Sequence, residues 1–280
     1  MPTSHVLANG LHFHVAEWGS REQPPLVLLH GLASTHRMFH LIIPALAERF
    51  HLLAFDQRGH GLSDKPDSGY DFETIASDLD GVVAALGHGE RPFRLYGHSW
   101  GAYTTLYYAA TRPKRVERAV LLDGGIHTIS DMYPTWEIAR EKMSPPDYAN
   151  TTLHDIERMI REQWLLPIYR PELEPLALSI FDTRNPNQVK AHLSRDNHLQ
   201  IAKALWEFQP RHYYPQIGCP LLMVKAIPPG EPISPEVMQD AQRLKQEASQ
   251  ASIVWMQDTV HDIPWHRPDQ LLDQLVQFGF

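Results

Sequence analysis

The 280-residue sequence predicts an α/β protein, a mostly parallel sheet flanked by helices with a helical segment inserted late in the chain. Three observations predict it. Short uninterrupted apolar runs recur at 26–29, 52–55, 119–122, 221–224 and 253–256, with a β-favouring run at 93–96, the pattern of central strands buried on both faces. Segments of helical spacing separate most of these runs, which implies βαβ units. Between 127 and 214 the strand-type runs stop, and the residues there form helical candidates rich in Trp, Tyr, Met and His.

The elements follow in order. Residues 5–18 read as a hairpin turning at Asn9-Gly10, a dipeptide suited to a type I′ turn. The run at 26–29 ends in His30-Gly31-Leu32-Ala33-Ser34, and a helix is expected over 38–49. The run at 52–55 leads into Asp56-Gln57-Arg58-Gly59-His60-Gly61. This segment reads as a structural turn, its glycines supplying positive φ and its arginine pairing locally. A helix over 74–86 would place Ile75, Leu79, Val82 and Val83 on one face. Residues 102–110 are helical, as are 152–165 and 198–208 within the insertion and 234–248 and 268–278 near the end. The division is a core of 1–126 and 215–280 and a helical cap of 127–214.

Composition excludes several classes. Lys+Arg number 25 against Asp+Glu 33, a net charge of −8, and no basic block appears, so nucleic-acid binding has no electrostatic support. Met1 to Val15 has neither a basic start nor an apolar run, and no stretch approaches the ~18 apolar residues of a membrane helix. The one cysteine, Cys219, excludes an intramolecular disulfide and reads as a small core residue. The expectation is a cytoplasmic monomer or homodimer with no membrane partner.

The chemistry centres on Gly97-His98-Ser99-Trp100-Gly101, which follows the run at 93–96 and opens the helix at 102–110. A strand that becomes a helix within about five residues forces the residue at the tip into a strained conformation. Glycines on either side let strand and helix approach, so Ser99 projects alone. The bland reading is a glycine-rich turn with an incidental serine. On the sharper one, the hydroxyl needs a base to take its proton. Among 17 histidines, His261 stands just beyond the last strand, where its loop can fold back over Ser99. His266 is the fallback, and His98 is expected to face away and be structural.

The acid orienting that histidine has two candidates and a distant third. Asp123 closes the run at 119–122 before Gly124-Gly125, and a carboxylate there needs a partner to offset its desolvation. Glu231 lies in the loop after 221–224, and Asp258 is the third. The bland alternatives are a loop-capping carboxylate and a solvated charge. The oxyanion requires two preorganised donors, here the backbone N–H of Trp100 and, from the loop after His30-Gly31, that of Leu32. No metal or other cofactor is implied. Tyr133, Trp136, Trp164, Trp206 and Phe208 could line an apolar pocket or simply pack.

Leu29-His30-Gly31, Asp56-Gln57-Arg58-Gly59-His60-Gly61-Leu62-Ser63, the Ser99 pentapeptide, Val120-Leu121-Leu122-Asp123 and Val260-His261-Asp262 together resemble the α/β-hydrolase fold family, across nearly the whole chain. The resemblance implies an eight-stranded, mostly parallel sheet with a helical lid after strand six. It looks closest to the esterase, lactonase and carbon–carbon-bond hydrolase group, acting on a small ester or lactone. One departure is that the strand-seven loop, often G-x-x-D-P in the family, runs Ala226-Ile227-Pro228-Pro229-Gly230-Glu231-Pro232. Either the glutamate substitutes or the acid has moved to the end of strand six. Proline iminopeptidase-like peptidases, and receptors that keep the triad but turn over slowly, are the alternative classes.

Overall fold

The computed structural model describes residues 3–280, so the first two residues of the expected core segment lie outside it. The hairpin forms as β1 (Thr3–Ala8) and β2 (Leu11–Trp18). Both turn residues have positive φ, 49° at Asn9 and 76° at Gly10, as a type I′ turn requires. The strand-type runs become β3 (Pro25–Leu29), β4 (His51–Phe55), β5 (Phe93–His98) and β6 (Val116–Leu122). A two-stranded ladder, β7 (Phe181–Asp182) with β8 (Lys190–Ala191), lies in the insertion. The last strands are β9 (Leu221–Ala226) and β10 (Ala251–Met256).

The main sheet has eight strands in the order β1-β2-β4-β3-β5-β6-β9-β10. β1 and β2 pair antiparallel, as do β2 and β4, and every other neighbour is parallel. Successive residues alternate faces. Val27, Leu29, Leu95 and Leu121 pack on one side, and Leu26, Leu28, Tyr96 and Val120 on the other.

Among the helices, the expected one at 38–49 is broken. A 3₁₀ turn at His36–Phe39 precedes α1 (Ile43–Ala47). Pro44 sits in the first turn of α1, and a proline cannot accept a helix running through it from upstream. α2 (Phe72–Val83) begins two residues early because Asp71 caps it by accepting from the Thr74 N–H. α3 (Trp100–Thr111) begins inside the pentapeptide, two residues before the expected start. The segment after β6 carries α4 (Ile129–Met132), α5 (Trp136–Lys142), α6 (Leu153–Met159), α7 (Glu174–Ala177) and α8 (Arg195–Glu207). The helix expected at 152–165 is α6 continued by a wider π turn over Ile160–Trp164. α9 (Pro235–Glu247), α10 (Ile263–His266) and α11 (Pro268–Gln277) complete the chain. Among the described residues no helix is long and apolar enough to cross a membrane.

The strand order fixes where a ligand can sit. β3 leads to β4 on one side, whereas β5 pairs with β3 on the other. The loops leaving β3 and β5 therefore diverge and open a crevice at the carboxyl ends of the strands. Gly31-Leu32 and Ser99 stand at that switch point.

Candidate active site

Ser99 occupies the one residue between β5 and α3, with φ 55° and ψ −119°. This is backbone that an L-residue rarely adopts. It persists because the flanks over-determine it. The Ser99 N–H donates to Leu122 O at 2.8 Å, and Ser99 O accepts from the Ala102 N–H at 2.9 Å. A Cβ at position 97 would strike the Gly101 carbonyl, and one at position 124 would strike that of Ser99. The glycines are thus the condition for the strand, the tip and the helix to meet.

His261 lies on the loop between β10 and α10. The Val260 N–H donates to His266 Nδ1 at 3.1 Å, and the Thr259 N–H to Ile227 O at 2.8 Å. The fallback base His266 therefore braces the loop. His98 does not face away, as expected, but lies against His261. Its ring is 4.8 Å from the His261 ring, and its Nε2–H donates to the His261 carbonyl at 3.0 Å. Burial, and then the charge of His261, push His98 down to about 3, so it is neutral. It is a rest for the loop.

Asp123 closes β6 with φ 46° and a side chain only 4% exposed. Its Oδ2 accepts from His261 Nδ1 at 2.5 Å. Its Oδ1 accepts from Lys225 Nζ at 2.6 Å and from the Ala226 N–H at 3.1 Å. Burial alone would raise this carboxyl, but the His261 bond and charge and then Lys225 hold it well below its ordinary value. For His261, burial lowers the ring's proton affinity, and the bond to Asp123 and its charge more than reverse that, leaving it above 6.5. The structure brings Asp123, and not Glu231, to the imidazole. Glu231 is exposed in the loop before α9, and its side chain makes no hydrogen bond to His261. Asp258 is also exposed, its carbonyl accepting from Arg267.

Ser99 and His261 line one cavity of about 220 Å³, with Leu32, Met38, Trp164 and Trp265 on its walls. No hydrogen bond joins Ser99 Oγ to His261. Beyond Ala33, Ser34 and Ile180 lies a second chamber of about 240 Å³. Of the five aromatic residues considered for a pocket, only Trp164 lines the Ser99 cavity. Trp206 Nε1 donates to the Tyr133 carbonyl and its ring packs near Trp136, while Phe208 stacks on Tyr213. Trp265, which sequence reasoning missed, lies on α10 just past His261.

The Leu32 and Trp100 amides have no protein acceptor among the described residues. The loop carrying Leu32 is held by two histidines. His30 Nε2 accepts from the Gln57 N–H at 3.0 Å while Gln57 Nε2 donates to His30 O at 2.7 Å. His60 Nε2 accepts from the Ala33 N–H at 3.2 Å, and the His60 ring stacks on Trp100. Burial pushes His30 down to about 4, which keeps it a neutral acceptor. The 56–61 turn is structural as expected, but its arginine does not pair locally. Arg58 reaches α2 and clasps Asp78 with two bonds, Nε at 2.5 Å and Nη2 at 2.8 Å.

Metal-ligand spacing occurs among the described residues at His14, His36 and Asp56. There both carboxylate oxygens are already taken. His14 Nδ1 and the Leu62 N–H bond Oδ2, while His36 Nδ1 and the His36 N–H bond Oδ1. Hydrogen bonding accounts for this cluster.

Residues 24–158 match the family described as alpha/beta hydrolase fold. The chain is 38% identical over 131 residues to a soluble epoxide hydrolase of Corynebacterium sp. (strain C12), covering 46% of this chain and 44% of that protein. It is 39% identical over 110 residues to a 2-(acetamidomethylene)succinate hydrolase of Mesorhizobium japonicum, covering 39% of this chain and 38% of that protein. The matched stretches thus span less than half the length of these curated relatives. The crystal structure of E-2-(acetamidomethylene)succinate hydrolase superposes with a TM-score of 0.82 at 23% identity, covering 99% of this chain and 98% of that one.

Proposed function

The chain belongs to the α/β-hydrolase fold family, and from that premise we propose that it is a serine hydrolase of small carboxylic esters or lactones. The observation that carries the reading is the pairing of a strained, isolated Ser99 with an imidazole held by a buried carboxylate, both bordering one cavity. Ser99 Oγ attacks the carbonyl while His261 takes its proton, and Asp123 stabilises the imidazolium. The Leu32 and Trp100 N–H groups receive the oxyanion. His261 then protonates the leaving group, and water, activated by the same ring, releases the acyl group. The Ser99–His261 bond that this needs is of the kind that tightens once substrate is bound.

A serine at the elbow also argues against epoxide opening. Attack by a hydroxyl on an epoxide carbon leaves an ether, which water cannot readily cleave, whereas attack on a carbonyl leaves a hydrolysable ester. The peptidase alternative has one observation in its favour. Asp131, Glu231, Glu236 and Asp240 line a cavity of about 680 Å³ that also borders His261, where a substrate amine could sit.

The test is hydrolysis of p-nitrophenyl esters from acetate to laurate, beside proline p-nitroanilide, by the wild type, S99A, D123N and E231Q. At about 220 Å³ the Ser99 cavity is below the usual range of ~300–1,000 Å³ for ligand pockets, so the short esters should be preferred. S99A should be inactive, D123N should lose about 10³–10⁴ in kcat, and E231Q should stay within a few-fold of wild type. Hydrolysis by S99A at the wild-type rate would end the reading, and amide cleavage in preference to esters would select the peptidase.

A further inference from the structure

Lys225 shares the Asp123 carboxylate, yet the mechanism above leaves it without a task. It stands on β9 beside β6, where Leu122 pairs with Val224, so the next residue of each strand, Asp123 and Lys225, meets at the sheet's carboxyl end. Lys225 Nζ lies 2.6 Å from Oδ1, and the Ala226 N–H lies 3.1 Å from the same oxygen. Two bonds on Oδ1 fix the carboxylate's rotation and leave Oδ2 for His261. The Lys225 side chain is 18% exposed and that of Asp123 is 4% exposed, so water screens this pair weakly.

We infer that Lys225 is a positioning residue acting on His261 through Asp123. It aims the carboxylate, and its charge keeps the imidazole from holding a proton too tightly to pass it on. The effect on rate rests on the serine-hydrolase reading, whereas the effect on the imidazole does not. A general base works best when its proton affinity lies near the working pH. An unshared buried carboxylate beside it would turn the ring into a proton trap. The groups that face His261 are Asp123 from β6, Lys225 from β9, neutral His98 from the end of β5 and Asp262 from its own loop. Glu231 borders the cavity beside them, with His127, Asp131, Glu236 and Asp240 further along its wall. Lys225 is the one permanent cation in this set.

The experiment is an NMR titration of the His261 ring, assigned by comparison with H261Q, in wild type, K225M and K225R. Loss of the lysine charge should raise the His261 midpoint by about one pH unit, and arginine should restore it. The acid limb of kcat/KM should move by the same amount. K225Q, which keeps a donor and drops the charge, repeats the comparison if methionine is not tolerated in the fold. A His261 midpoint that is unchanged or lower in the uncharged variants overturns the inference, as does a K225R midpoint equal to theirs. Because the titration needs no turnover, failure of every ester and lactone as substrate would sink the proposed ester- or lactone-hydrolase reading and leave this result standing by itself.

Discussion

Gly31 abuts Ser99: a Cβ on residue 31 would lie 2.9 Å from the serine Cβ and 3.4 Å from its Oγ. On the proposed mechanism, the close approach sets the next amide, that of Leu32, beside the tetrahedral oxyanion. In G31A either the loop or the serine must shift by several tenths of an ångström. Since a misplaced oxyanion donor costs on the order of 10²–10³ in rate, kcat should fall by that factor with KM little changed. Steady-state kinetics beside a melting curve checks it. A normal kcat in a stably folded G31A would remove Leu32 from the proposed oxyanion site.

Ser99 stores strain that its own replacement should release. Backbone in such a region costs about 1–3 kcal/mol for a residue with a Cβ, and glycine escapes it at a smaller cost in unfolded-chain entropy. S99A and S99G should both be inactive, but S99G should be the more stable by about 1 kcal/mol, a rise of about 2–4 °C in Tm. Equal melting of the two variants would show that φ 55° carries no penalty here.

Much of this arrangement is legible in the sequence, for physical reasons. Buried parallel strands leave no room for polar residues, so 26–29 and 119–122 announce themselves as apolar runs. The glycines at 97 and 101 are demanded by backbone contacts, and their spacing marks the elbow. Other features are set by tertiary partners and leave no local trace. Nothing near Arg58 names Asp78, twenty residues on, as its partner. Nothing in the flanking residues says that His98 will support the His261 loop. The choice between Asp123 and Glu231 also depended on which carboxylate the folded β10 loop would reach. The wall of the Ser99 cavity was hidden for the same reason, because Trp164 and Trp265 come from segments a hundred residues apart.

Asp56 ties three segments together. His14 on β2, His36 in the 3₁₀ turn and the Leu62 N–H all donate to its carboxylate, which is 1% exposed. Burial would raise this carboxyl, but the bonds from His14 and His36 hold it well below the usual range. In D56N an amide NH₂ would meet donors instead of accepting from them. Removing one partner from a buried charged cluster costs about 3–5 kcal/mol, so the urea midpoint should drop by the corresponding amount. A loss below about 1 kcal/mol would show that the histidines find other acceptors.

Asp123 and His261 should also write their pairing into the pH dependence of both activity and stability. The proposed mechanism needs the imidazole neutral, and its proton affinity is raised above 6.5, so kcat/KM should fall as pH drops through a midpoint above that value. For stability the two signs differ. Asp123 is depressed in the folded state, so its contribution is present above the unfolded carboxyl value of about 3.9 and is lost as pH falls below it. His261 is raised, so its contribution is full below the unfolded value of about 6.5 and is lost as pH climbs through the folded one. The stability difference between wild type and D123N should therefore be greatest between about pH 4 and pH 6.5 and shrink on both sides. Urea unfolding of both proteins from pH 3 to pH 9 reads it directly. A difference that stays flat across that range would mean that the two residues are neighbours without being charge partners.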